Sequence, residues 1–144
     1  MTGLEEEREM KKAVVLLVLA VACSSSTTQM SGPALCVPHD GPNGKPVVCI
    51  DYRLFDQAGY KPTPDPVQAK KKIHVEFKFF NYTDADSPEM ELQFPPDTKI
   101  HHLSCKDAQC TVDIKDDATY QQRKYTIIDR TTGKHLDPDI IIEP

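Results

Sequence analysis

The sequence predicts a small all-β domain, an antiparallel β-sandwich of about seven strands closed by two disulfides. Apolar and polar residues alternate over several short segments, which is typical of strands that bury one face. The 144 residues include 12 prolines, 6 glycines and no tryptophan, a composition that suits short strands joined by rigid loops. A chain of this length has room for one compact domain.

The predicted strands follow one another at short intervals. The clearest is 73–79, where apolar and polar residues alternate without a break. Residues 90–94 and 110–114 alternate in the same way. A short strand is also predicted over 47–50, bounded by a Gly/Pro loop, and a last pair over 125–128 and 139–142, which flank the turn at 131–134; a further strand is expected to start at Ile100. Residues 62–66 contain alternate prolines, which fix φ and remove backbone donors, so we expect a stiff connection there. The arrangement is similar to small immunoglobulin-like or cupredoxin-like sandwiches, a likeness of architecture that transfers no function.

The cysteines are expected to close two hairpins. Four of the five cysteines form an even set, Cys36, Cys49, Cys105 and Cys110, and such a set forms disulfides in an oxidising compartment. Three connectivities are open. Local pairing, Cys36 with Cys49 and Cys105 with Cys110, is favoured because each pair flanks a turn-forming segment. The longer closed loop would contribute up to about 3 kcal/mol.

The beginning of the chain has the layout of a signal peptide. Met10, Lys11 and Lys12 precede an apolar run over 13–22, which ends at Cys23 and gives way to serines and threonines. The run is shorter than the roughly 20 residues that cross the hydrocarbon core of a membrane. The expected organisation is a signal peptide over 1–22, a flexible tether over 23–34 and a β-sandwich domain over 35–144.

The end of the apolar run, Ala20-Val21-Ala22-Cys23, resembles the lipobox of bacterial lipoproteins, in which the cysteine is acylated and becomes the mature N-terminus. That family usually has leucine three positions before the cysteine, whereas Ala20 stands there and Leu19 precedes it. The resemblance implies lipidation of Cys23 and attachment to a membrane through that lipid, in the periplasm or at the cell surface. The same residues also fit an A-x-A signal-peptidase pattern, which would release a secreted protein beginning at Cys23.

Charge and motifs narrow the classes of function. The formal net charge is -5, so the chain lacks a broad basic field, and nucleic acid is not an expected partner. There is no Gly-x-Ser-x-Gly elbow and the cysteines are assigned to disulfides, so no catalytic residue is predicted and no cofactor is expected. We therefore expect a non-catalytic exported lipoprotein whose β-sandwich is a binding or structural module of the cell envelope, with an unknown protein or small ligand as its partner.

An alternative function is the binding or delivery of a metal ion by surface histidines, for which the candidates are His39, His74, His101 and His102. Neighbours in a strand point to opposite faces, so we expect only one of His101 and His102 to join His74. A type-1 copper site is disfavoured because no methionine follows Cys110 and the only histidine beyond it is His135. Solvated surface histidines are the plainer interpretation of these positions.

Overall fold

The computed structural model describes residues 36–39 and 45–144. In these ranges all regular secondary structure is β, which confirms the predicted all-β domain. The part of the chain that the structure describes contains no helix long and apolar enough to cross a membrane. The predicted signal peptide, the tether over 23–34 and the acylation site at Cys23 lie outside the described residues.

Ten strands form three sheets within the described residues. The strands are β1 Val47–Asp51, β2 Val67–Lys70, β3 His74–Phe80, β4 Met90–Gln93, β5 Ile100–Lys106, β6 Gln109–Ile114, β7 Gln121–Lys124, β8 Thr126–Asp129, β9 His135–Leu136 and β10 Asp139–Glu143. A four-stranded sheet has the order β1-β3-β6-β5, and two three-stranded sheets have the orders β2-β10-β7 and β4-β8-β9. The predicted segments all correspond to strands, to which the structure adds β2, β7 and β9.

Two strand pairs are parallel in a domain predicted to be antiparallel. β1 runs parallel to β3, with Val48 beside Phe77, and β10 runs parallel to β2, with Ile140 beside Val67. The remaining neighbours are antiparallel. The difference arises because neither parallel pair is joined by a short turn, so the sequence contains no local signal for the direction in which these strands meet.

The alternation of side chains places one face of each sheet in a common core. In β3, Val75, Phe77 and Phe79 are fully buried, whereas His74 and Lys78 face outward. The buried residues of all three sheets form one hydrophobic cluster, so the arrangement is sandwich-like. Burying each large apolar side chain contributes about 1.5–3 kcal/mol relative to leaving it exposed.

Tyr125 lies between β7 and β8 and joins the two smaller sheets to the larger one. Its ring meets Phe77 edge to face at a centroid distance of 5.5 Å and stacks on Phe94 at 5.2 Å. Burial raises the pKa of its hydroxyl well above the usual value, and the nearby carboxylates of Asp65 and Asp139 add to the effect. The hydroxyl therefore stays protonated, and the residue serves as a packing element at the junction of the sheets.

Both predicted disulfides are present, with the local pairing. Cys36–Cys49 fastens the segment before β1 onto β1, next to an isolated antiparallel bridge between His39 and Val47. Cys105–Cys110 joins facing residues of β5 and β6 in the hairpin that these strands form.

Asp129, at the end of β8, is a fully buried carboxylate that joins three segments of the chain. Its Oδ2 accepts hydrogen bonds from the hydroxyls of Tyr52 at 2.6 Å and Thr132 at 2.7 Å. Its Oδ1 accepts from the backbone N–H groups of Thr131 at 3.0 Å and Glu89 at 3.2 Å. Burial raises the pKa of Asp129, but the hydrogen bonds from Tyr52 and Thr132 outweigh it and hold the pKa below its usual value. The donors thus compensate the cost of burying the charge.

Asp51, at the end of β1, fixes the neighbouring loops in the same way. Its carboxylate accepts hydrogen bonds from Nη2 of Arg53 at 3.0 Å and Nδ2 of Asn81 at 2.9 Å. The hydroxyl of Tyr60 lies 2.7 Å from the backbone N–H of Asp51 and accepts its hydrogen bond. Burial raises the pKa of Asp51, but these side-chain donors keep it below the usual value.

We predict unequal contributions from the two disulfides. Cys36→Ser should lower the free energy of unfolding by about 3 kcal/mol and Cys105→Ser by about 2 kcal/mol, because the first bond closes the longer loop. The sequence separations are 13 and 5. Each variant retains the buried partner, Cys49 or Cys110, so the comparison is matched. Urea unfolding of both variants beside the parent measures the difference, and a larger loss for Cys105→Ser would contradict the loop-closure explanation.

We also predict that Asp129 contributes to the loss of stability in acid. Because its pKa is lower in the folded state, its contribution is fully present above the unfolded value of about 3.9 and is lost as the pH falls through the folded value. Asp129→Asn should therefore cost about 2 kcal/mol at neutral pH and flatten the pH dependence of unfolding below about pH 4. Asp84→Asn, at an exposed position, is the control. An Asp129→Asn variant with the pH profile of the parent would refute this role.

Candidate functional site

A cavity of about 530 Å³ opens at the end of the four-stranded sheet where β3 begins and β6 ends. Its lining consists mainly of charged and imidazole side chains: Lys72, His74, His101, Asp113, Ile114, Lys115, Asp116 and Asp117. The cavity therefore offers groups that bind ions and polar ligands. We take it as the candidate functional site because it contains two of the predicted histidines.

His74 and Asp113 form a cross-strand pair in this cavity. They face each other in the register of β3 and β6, and both lie on the outer face because Val75 and Val112 fill the core. His74 Nδ1 donates a hydrogen bond to Asp113 Oδ1. A carboxylate only accepts hydrogen bonds, so Nδ1 carries a proton, and in the neutral imidazole the ligand-binding lone pair is then on Nε2. The side chain of His74 is 50% exposed.

A β-bulge brings His101 to the same cavity. The register between β5 and β6 shifts between Ile100 and His102, so His101 falls between the paired positions. His102 stands opposite Asp113 in the ladder, whereas His101 lines the cavity beside His74. The regular alternation expected for this strand is therefore interrupted at the histidine pair.

Lysines and aspartates of opposite charge surround the two histidines. Lys72 has a positive φ of 63°, and its backbone N–H donates to the carbonyl oxygen of Ile114 at 3.2 Å, which holds the turn at the cavity rim. Lys99 Nζ lies 3.0 Å from Asp117 Oδ2, and this hydrogen bond lowers the pKa of Asp117. The backbone N–H of Lys115 donates to the carbonyl oxygen of Lys99 at 3.0 Å. Asp117 is therefore paired with Lys99, and Asp113 is hydrogen-bonded to His74.

The four predicted histidines do not gather into one set. His74 and His101 line the cavity, His39 lies exposed in the bridge with Val47, and His102 lies exposed in β5. Within residues 36–39 and 45–144, no three His, Cys, Asp or Glu side chains are arranged to hold a metal ion. The predicted lipidation site, Cys23, lies outside the described residues.

The sequence analysis did not identify Asp113 as a residue of this site. The alternation over 110–114 places it on the outer face, and that signal was readable. Its pairing with His74 depends on the register between β3 and β6, which are separated along the chain by β4 and β5. A single sequence contains no direct signal for a register between distant strands.

Two smaller cavities lie elsewhere on the surface. One of about 290 Å³ is at the β5–β6 hairpin and is lined in part by Lys78, Tyr82 and Lys106. Another of about 390 Å³ is lined in part by Phe94 and Tyr125, beside the junction of β7 and β8. Neither contains a predicted site residue.

Comparison with known proteins finds no matching family model, no matching curated protein and no matching solved structure.

Proposed function

We propose that the protein is a non-catalytic exported lipoprotein, anchored through a lipid on Cys23, whose β-sandwich serves as a binding or structural module of the cell envelope. If Cys23 is not acylated, the same domain is secreted. The observation that carries the proposal is the pairing of Cys36 with Cys49 and of Cys105 with Cys110 in so small a domain. Disulfides persist in oxidising compartments outside the cytoplasm and are rare within it.

The cysteine pairing also supports the special role of Cys23. The described domain uses its four cysteines with one another, so it leaves no thiol for a fifth cysteine to pair with. Cys23 follows the apolar run 13–22 and precedes a serine- and threonine-rich stretch, as an acylated cysteine does between a signal peptide and a tether.

The buried carboxylates support a module without catalysis. Among the described residues, Asp129 and Asp51 are buried aspartates, and each is occupied by several hydrogen-bond donors. The pKa of each is lowered, the reverse of the shift that turns a carboxyl into a general acid near neutral pH. These groups therefore hold loops in place.

Intact-mass analysis of protein from the native host tests this proposal. We expect a chain that begins at Cys23, carries acyl groups and contains four cysteines that react with an alkylating agent only after reduction. Cys23→Ser should lose the acyl mass and move from the detergent phase to the aqueous phase in detergent partitioning. A chain that still contains residues 1–22 and has freely reactive cysteines would refute the export proposal.

Metal binding is a second candidate function, because His74 and His101 line one cavity and Asp113 orients the ring of His74. A carboxylate that accepts from Nδ1 fixes the orientation of the ring and leaves Nε2 as the metal-binding nitrogen. Zn²⁺ and Cu²⁺ are the ions that imidazole suits, and water would complete the coordination.

We predict that the untagged protein binds one Zn²⁺ or Cu²⁺ if this second function holds. His74→Ala and His101→Ala should abolish stoichiometric binding, and Asp113→Asn should weaken it about tenfold or more because it removes the orienting carboxylate. His39→Ala is the matched control, since His39 does not line the cavity. Elemental analysis and calorimetric titration measure the outcome. Absence of stoichiometric metal, or equal loss in the control, would exclude the cavity as a metal site.

A further inference from the structure

β5 is an open edge of the four-stranded sheet. It pairs with β6 on one side, and within the described residues no strand pairs with it on the other. Residues 101–106 are exposed, including those whose side chains lie on the core side of the sheet. Leu103, on that side, is 38% exposed. An unpaired edge presents backbone N–H and C=O groups that can form a ladder with another extended chain.

The disulfide identifies the backbone groups that face outward. Cys105 and Cys110 are directly opposite, and their Cα atoms are 4.1 Å apart, as in the closely spaced, non-hydrogen-bonded pairs of an antiparallel ladder. Hydrogen-bonded and non-hydrogen-bonded pairs alternate, so Leu103 and Val112 also form a non-hydrogen-bonded pair. The N–H and C=O groups of Leu103 and Cys105 therefore point away from β6, and no backbone bond from other described segments reaches them.

The usual protection of an edge strand is confined to the two ends of β5. The bulge lies between Ile100 and His102, and the single lysine, Lys106, is the last residue. Between them the register with β6 is regular. The Cys105–Cys110 bond holds this stretch against β6, so its edge is already ordered before a partner arrives.

The charge of β5 indicates the partner. Ile100–Lys106 contains one lysine and no Asp or Glu, although the whole chain has a net charge of -5. An extended acidic segment would meet a complementary edge, whereas the β5 strand of a second copy would present the same lysine. Complementary charge also sets which partner is accepted and how its binding responds to salt.

We propose that β5 binds an extended acidic peptide segment of a partner protein by strand addition. Leu103 and Cys105 supply the outward backbone donors and acceptors, and Lys106 contacts a carboxylate of the added strand. This inference rests on the proposed role of the domain as a binding module and names the partner class. It does not depend on acylation of Cys23.

The test uses two synthetic peptides of the length of β5, one alternating glutamate with valine and one alternating lysine with valine. Calorimetry on the mature protein should show binding of the glutamate peptide at least about tenfold tighter than the lysine peptide, and weaker at high salt. Hydrogen exchange should slow at the amides of Leu103 and Cys105. Equal affinities would overturn the charge assignment, and binding of neither peptide would overturn the site.

Charge reversal supplies a variant that leaves the ladder intact. Lys106→Glu should weaken binding of the glutamate peptide about tenfold and strengthen binding of the lysine peptide. Lys124→Glu makes the same change on β7, an edge strand of another sheet, and should leave both affinities unchanged. Equal effects of the two variants would place the peptide elsewhere or show only general attraction, and would overturn the proposal.

Leu103→Pro tests the backbone contribution, because it removes an outward N–H that the β6 ladder does not use. It should abolish binding of the glutamate peptide. A free protein that sediments as a dimer, and becomes a monomer in this variant, would make a second copy the occupant and overturn the proposal. Peptide binding by a protein whose intact mass lacks the acyl group would refute the anchor and leave this inference standing, so the two failures are distinguishable.

Discussion

The buried carboxylate of Asp129 is the interaction on which the surroundings of the core most depend. It receives donors from the segment after β1, through Tyr52, from the segment before β4, through Glu89, and from its own turn. A charge taken out of water is tolerated only when such donors surround it, and each donor is in turn held in place by the charge. One side chain thereby joins the four-stranded sheet to the sheet of β4, β8 and β9, next to the aromatic ring of Tyr52 packed on Phe79.

The strands that the sequence predicts are those stabilised by burial of one face. β3 and β6 alternate apolar and polar residues because alternate side chains enter the core, and burial alternates in the same way along β10, whose sequence is DIIIE. β7, with the sequence QQRK, contains no apolar residue, and it is held by its ladder with β10, for which a single sequence contains no signal. The two-residue β9 is too short to show any alternation. Disulfide pairing was predictable because both bonds are local and flank turns.

The candidate site, too, was predictable only in part. His74 and His101 are conspicuous in the sequence as imidazoles near strand ends, but the approach of Asp113 to His74 and the bulge that separates His101 from His102 are properties of strand register. Register between distant strands results from the packing of whole faces in the core, in which no single residue pair is decisive. The open edge of β5 could not be predicted from the sequence either, because the exposure of both faces of the strand depends on how the other strands are arranged around it.

β10 occupies the centre of its sheet, between β2 and β7, although β2 lies far upstream in the chain. Until β10 arrives, Val67 and Ala69 have no neighbouring strand on that side. This sheet has a high contact order because β2 and β10 are far apart in the sequence, and folding slows as contacts join more distant residues. The β5–β6 hairpin, in contrast, closes over a two-residue turn. The expected order of assembly is therefore hairpin first and the sheet around β10 last. The nascent polypeptide would thus have little stable structure in this sheet until its final strand is synthesised.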